Sequence, residues 1–387
     1  MLFKIKEIGF TIITLLLLLF ISQERINAQA NVYVNPSNII LSGQSSVSVD
    51  VMISNVTNLH SYQVSLTFNN TVLSCQSVAR GPFLRSGGTS SIFFVTPTTI
   101  IDSINVEEAI SGSFVVSGSG KLFSITFNAL AAGNSPISIA RIQLRDLDNN
   151  NIPVTWNTGE IIVPLSVNTK IFLQGPFNSS SMNTTLNSFG YLPLSQPYSV
   201  NPWNYKGTES VLPGFFSSHP NIVDWMLVEL RTGTGHSTEI EQRVGFLLNT
   251  GNIVGLDGIS PIYFLQTSDN YYVVIYHRNH IPIMSSSNIL LNYASTLYDF
   301  TTAQSKAFGV NAMVQLGTNI FGMYSADANG DQTINATDLN SYWIPQNGTT
   351  FNYQTTTADF NLDGTINATD LNNFWIPNNG RASQVPN

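Results

Sequence analysis

The chain has 387 residues, of which 10 % are charged and 43 % hydrophobic, with a formal net charge of −8. That acidic balance excludes nucleic acid and anionic membrane surfaces as natural partners. A single cysteine, Cys75, excludes an intramolecular disulfide.

At the N-terminus, Lys4 and Lys6 precede an uncharged apolar run from Ile8 to Ile21, and Ala28-Gln29-Ala30 supplies a small-residue cleavage site. Residues 1–30 therefore read as a secretory signal peptide, its apolar stretch too short for a comfortable membrane span. The expectation is an exported bacterial protein, secreted or at the cell surface, with no membrane insertion after signal removal. The remaining length predicts two or three domains.

From residue 31 to 165 the pattern is strand after strand. Val47, Val49, Val51 and Ile53 alternate with polar residues, as do Tyr62, Val64, Leu66 and Phe68, and later Phe123, Ile125 and Phe127. Period-2 alternation broken by Gly, Asn and Pro clusters predicts half-buried strands of an antiparallel sandwich. Cys75, beside Val72, Leu73 and Val78, is expected as a small buried hydrophobe. The order Val32-Tyr-Val-Asn-Pro36, Tyr62-Gln-Val-Ser-Leu-Thr-Phe68, Gly81-Pro-Phe-Leu84, Gly118-Ser-Gly-Lys-Leu-Phe-Ser-Ile-Thr-Phe127 and Gly159-Glu-Ile-Ile-Val163 resembles a cohesin domain. The resemblance implies a jelly-roll sandwich, shared with certain carbohydrate-binding modules, that binds a protein partner. A sugar-binding face is the competing reading, and it would call for exposed aromatic rings. Trp156 is the one tryptophan of this segment, and Phe93-Phe94 could offer a ring.

Residues 166–321 are β-patterned again, in Val223-Asp-Trp-Met-Leu-Val-Glu-Leu-Arg231, Val244-Gly-Phe-Leu-Leu248 and Tyr271-Tyr-Val-Val-Ile-Tyr-His277. The last is a nearly continuous apolar run, which predicts a strand covered on both faces. The segment resembles a β-rich module of unassigned role that precedes calcium-binding repeats in secreted bacterial proteins. If its strands pair, Glu229, Arg231 and His277 could meet as an acid–base group; the alternative is a structural Glu229–Arg231 ion pair. No nucleophile elbow, zinc-binding H-E-x-x-H, P-loop or dinucleotide fingerprint occurs, and the chain is expected not to be an enzyme.

The C-terminal segment 322–387 repeats itself. Residues 327–348 and 359–380 align without a gap, share 16 of 22 positions and are offset by 32 residues. Oxygen-bearing side chains recur at positions 1, 3, 5, 7, 9 and 12 of each loop: Asp327, Asn329, Asp331, Thr333, Asn335 and Asp338, then Asp359, Asn361, Asp363, Thr365, Asn367 and Asp370. Thr333 and Thr365 would contribute backbone carbonyls. That spacing suits Ca²⁺, a hard cation taking several oxygen ligands, so two ions are expected. Position 6 is Gln332 in the first loop and Gly364 in the second. A sharp bend there favours positive φ, so the first site is expected to be the weaker. One short helix should follow each loop, from Ala336 to about Trp343 and from Ala368 to about Trp375, ended by Pro345 and Pro377.

A calcium loop followed by one short helix, used twice, resembles the type I dockerin module of bacterial polysaccharide-degrading assemblies. The resemblance implies that loop positions 10 and 11, Ala336-Thr337 and Ala368-Thr369, contact a cohesin-bearing partner in either of two orientations. The chain as a whole is expected to be mainly β: a sandwich, a β-rich module and a small α module with two EF-hand-like loops. Its expected function is calcium-dependent assembly or adhesion with cohesin- or dockerin-bearing proteins, including a second copy of itself head to tail. The runner-up is a carbohydrate-binding or glycan-hydrolysing protein attached through its dockerin.

Overall fold

The computed structural model describes residues 29–86, 90–97 and 102–387. All but the last two residues of the expected signal peptide lie outside that range.

The N-terminal alternation folds as read. One sheet runs in the order Val154–Asn157, Ala30–Asn35, Ser46–Leu59, Val116–Ala129, Leu73–Arg80. The facing sheet runs Asn38–Ile40, Gly159–Val163, Gly133–Arg145, Ser61–Thr67, Ser103–Ile110, Ser91–Pro97. Alternate side chains of both sheets point inward, so Val51, Ile53, Val64, Leu66, Phe123, Ile125, Phe127 and Ile161 fill a common core. Cys75 is only half-buried, packed at the edge of that core rather than within it. Phe93 faces inward under the Arg80 guanidinium, and its neighbour Phe94 faces out.

The middle segment forms a third large sheet in the order His280–Met284, Asp269–His277, Ile222–Arg231, Glu239–Leu248, Asn252–Val254, Thr169–Lys170, Tyr298–Asp299. Every residue of Ile222–Arg231 is buried. Trp225 packs on Phe216 and Phe246, while its neighbour Asp224 turns to the other face and meets Tyr353 of the C-terminal segment. The sheet is thus covered on both sides, as its continuous apolar strands require. The sandwich joins it where Leu165–Val167 pairs with Ile262–Phe264 and Ala132 exchanges hydrogen bonds with Ser268.

The C-terminal segment is not a separate bead on a linker. Strand Ile320–Met323 spans residue 322 and pairs with Phe172–Leu173 and Val314–Gly317 of the middle module. Ile281 of the middle module shares a core with Ala326, Ile334, Phe360 and Ile366. The two helices run 336–346 and 368–378, past Pro345 and Pro377 rather than stopping before them. Wide π-type turns over Asp338–Trp343 and Leu371–Trp375 precede each proline. Each proline therefore falls in the first turn of the narrower final segment, where its missing amide is not needed.

Candidate metal centre

The two loops share one hydrogen-bond pattern except at position 1, where Asp359 Oδ1 accepts the Asp363 amide at 3.1 Å and Asp327 Oδ1 accepts none. At position 12, Asp338 Oδ1 accepts the amides of Ala328 at 2.8 Å and Asn329 at 3.4 Å, and Oδ2 that of Asn335 at 2.8 Å. Asp370 does the same with Phe360 at 2.8 Å, Asn361 at 3.3 Å and Asn367 at 2.9 Å. At position 5, Asp331 Oδ1 accepts the Thr333 amide at 2.9 Å and hydroxyl at 2.6 Å; Asp363 accepts those of Thr365 at 2.8 and 2.5 Å. Asn329 and Asn361 each donate to the position-5 carboxylate at 2.8 Å. Asn335 and Asn367 cap the following helices, accepting from Thr337 and Thr369 at 2.7 Å.

The first carboxylates close the cage. Asp327 Oδ2 accepts the Gln332 amide at 3.0 Å, and Asp359 Oδ2 the Gly364 amide at 2.9 Å. Asp327 Oδ1 is buried with no hydrogen-bond partner. A buried carboxylate oxygen left unpaired is costly unless a cation fills the space it faces.

Electrostatics says the same. Burial drives Asp327 well above the usual carboxylate range, with Asp338 and Asp331 adding repulsion. Burial also raises Asp338. Asp359 is pushed up to about 7 by burial, against the opposing charge of Arg278, and Asp370 to about 6, again mainly by burial. These carboxyls are gathered where their own charges are disfavoured, which a divalent cation would relieve. The residues expected from sequence to hold calcium are thus brought together, and the donor set fits a hard cation.

The geometry also revises the ranking of the two loops. Gln332 does adopt a left-handed φ of 74°, as position 6 demands, where Gly364 has 82°. Position 4 is left-handed too, and there the first loop has Gly330 at 71° while the second has Leu362 at 57°. Each loop carries one glycine and one strained non-glycine residue. Position 6 alone does not show that balance; Leu362 stands at another of the six unmatched positions of the repeat.

Loops and helices face different surroundings. Both loop corners are seated on aromatic residues of the middle module: a Cβ on Gly330 would meet Trp203 at 2.9 Å, and one on Gly364 would meet Tyr191 at 2.8 Å. The helix starts are free. Ala336, Thr337, Ala368 and Thr369 are all exposed, and so are Ile344 and Ile376, each 55 %. Trp343 Nε1 donates to the Asn367 carbonyl at 3.2 Å and Trp375 Nε1 to that of Asn335 at 3.1 Å, so each helix is anchored to the opposite loop. The result is a pseudo-twofold face of matched residues.

A second exposed surface lies on the sandwich. Ile92 and Phe94, 56 % and 60 % exposed, border a shallow depression of about 440 Å³ with Gln63, Glu107, Gln143 and Arg145. This is a flat sheet face with an apolar pair among polar groups.

The acid–base group considered from sequence does not assemble. Glu229 pairs with buried Arg231, which donates also to Tyr276 Oη at 3.0 Å. His277, one residue further along its strand, points to the opposite face and meets Asp224 at 3.2 Å. Both groups are enclosed.

Residues 43–163 match the family described as Cohesin domain, and residues 325–373 that described as Dockerin type I domain. The chain therefore joins a cohesin domain to a type I dockerin domain, two kinds of assembly domain that pair with each other across proteins. Neither is catalytic. Among solved structures, the chain is similar to a non-cellulosomal cohesin from the archaeon Archaeoglobus fulgidus (24 % identity, 35 % of this chain and 91 % of that one, TM-score 0.30). It is similar also to a type I cohesin–dockerin complex from Clostridium thermocellum (14 %, 34 % and 92 %, 0.30). A third is a type II cohesin module from an adaptor scaffoldin of Acetivibrio cellulolyticus (16 %, 35 % and 97 %, 0.31). No curated protein matches the chain.

Proposed function

We propose that this is an exported, calcium-dependent assembly protein with a docking face at each end. In this reading Asp327, Asn329, Asp331, Thr333, Asn335 and Asp338 hold one Ca²⁺, and Asp359, Asn361, Asp363, Thr365, Asn367 and Asp370 a second. The observation that carries it is the duplicated cage, with buried carboxyls and the unpartnered Asp327 Oδ1, beneath two exposed and matching helix starts. Bound calcium supplies the charge that the loop carboxylates lack and fixes the loops. The chain's own part is to hold those carboxylates in register and to aim Ala336-Thr337 and Ala368-Thr369 at a cohesin-bearing partner. The sandwich, through the Ile92 and Phe94 face, receives a dockerin-bearing one. The charged, apolar and small-residue succession over residues 1–30, read as an export signal, supports work outside the cell.

Two complementary ends on one chain allow head-to-tail association, which yields rings or open chains. The middle module is built into the dockerin and hydrogen-bonded to the sandwich, which disfavours closure of one chain on itself. Sedimentation of the full chain tests this: calcium-dependent species larger than a monomer are expected at high micromolar concentration. A monomer with and without calcium makes the protein an adaptor between two others. In that case a calcium-dependent pull-down with the full chain should recover cohesin- or dockerin-bearing proteins, and recovery of glycan instead would favour the sugar-binding reading.

A further inference from the structure

The middle module reaches both loops through one turn. Strand Asp269–His277 reverses into His280–Met284, and Arg278 and Asn279 between them are 3 % and 0 % exposed. The Asn279 carbonyl accepts the amides of Ala326 at 3.1 Å and Asp327 at 3.2 Å. Its side-chain Nδ2 donates to the carbonyls of Thr357 at 3.0 Å and Asp359 at 2.8 Å. Asp327 and Asp359 open the first and second loops, so one residue holds both. Its amide is oriented by His280, whose Nδ1 lies 2.8 Å from Asn279 Oδ1.

The surrounding contacts are equally specific. Ser325 Oγ donates to the Phe360 carbonyl at 2.7 Å. That carbonyl would stand 1.9 Å from a Cβ on Gly175, a spot where only glycine permits the approach. Tyr353 Oη donates to Asp224 at 2.5 Å, and Arg278 Nη1 reaches the carbonyls of Tyr353 and Thr356 at 3.4 Å each. Loosening either loop would leave buried donors of the middle module without acceptors, a penalty that falls on both sides of the contact.

We propose that the 277–280 turn makes the middle module a working part of the calcium unit, so that calcium stabilises the middle module and the middle module strengthens calcium binding. This rests on the reading of the two loops as calcium sites. The coupling is reciprocal, because whatever free energy calcium adds to the turn, the turn returns to calcium. It also gives residues 166–321 a role that needs no chemistry of their own: they brace the loop side of the dockerin and leave its helix side open.

Hydrogen exchange of the full chain, with calcium and with chelator, tests the proposal. Calcium should slow exchange in both loops and also in Ile222–Arg231, the latter by about tenfold or more. In Asn279→Ala the loops should still respond, at about tenfold more calcium, while the response of Ile222–Arg231 shrinks several-fold. Should that variant not fold, Tyr353→Phe removes one hydroxyl from the same contact and should show the same loss in milder form. Slowing confined to the loops in the unaltered chain overturns the coupling and spares the calcium reading. Loops that do not respond at all overturn both.

Discussion

At the level of single residues, the strongest constraints are backbone ones. Gly330 and Gly364 combine positive φ with a close aromatic neighbour, so alanine at either adds conformational strain and a steric clash. Each substitution should cost about 1–3 kcal/mol, read as a lower denaturation midpoint, whereas Gly348→Ala, with positive φ but open space, should cost less. Equal loss in all three would mean that the aromatic seats do not matter. The buried histidines set a pH dependence. His277 is lowered by burial with Asp224 opposing, and His280 lies well below the usual range through burial and the charges of His277 and Arg278. His280 Nε2 accepts the Gly175 amide at 3.3 Å, a bond that protonation would destroy. Burial would raise Asp224, but the His277 hydrogen bond and Arg278 outweigh it and hold it low. Through these histidines the unfolded chain binds more protons than the folded one below about pH 6.5, so once calcium holds the loop carboxyls ionised, stability is lost as pH falls through that value. With calcium saturating, the unfolding free energy from urea titration should drop between pH 8 and pH 5.5, by up to about 1.4 kcal/mol per histidine per pH unit. A flat profile would show that the histidines are not held neutral.

Among the elements, the two short helices carry the docking prediction. Thr337 and Thr369 occupy equivalent exposed places, so Thr337→Arg or Thr369→Arg alone should leave partner affinity within a few-fold, while both together should abolish it. Complete loss in one single variant would rule out two equivalent faces; surface plasmon resonance against a captured partner reads this directly. These helices also show where sequence reasoning stopped short. Their starts were legible from the loop spacing, but their ends were not. Proline by itself predicts a stop, and the wide turns that accommodate Pro345 and Pro377 leave no simple residue signature. The strands of the sandwich were legible because one face of each is wet and the alternation survives. Ile222–Arg231 was harder: buried on both faces, it has no alternation to say which side Glu229 and His277 would take. The register, Leu227 opposite Tyr276, separates them.

Over the whole molecule, the two matching loops and both assembly domains could be read from motifs, because oxygen spacing and repeat register are local in sequence. The union of the middle and C-terminal segments could not. It depends on contacts such as Asp224 with Tyr353 and Gln174 with Asn378, residues 129 and 204 positions apart, which no local pattern announces. That union makes the intact chain the proper subject of experiment. Calcium calorimetry on the full chain, stripped by chelator, tests the account most directly. Two ions should bind with affinities within about tenfold of each other, since each loop carries one glycine and one strained residue, and Asp327→Asn and Asp359→Asn should each remove one. A stoichiometry of one, or no heat at all, would contradict the account.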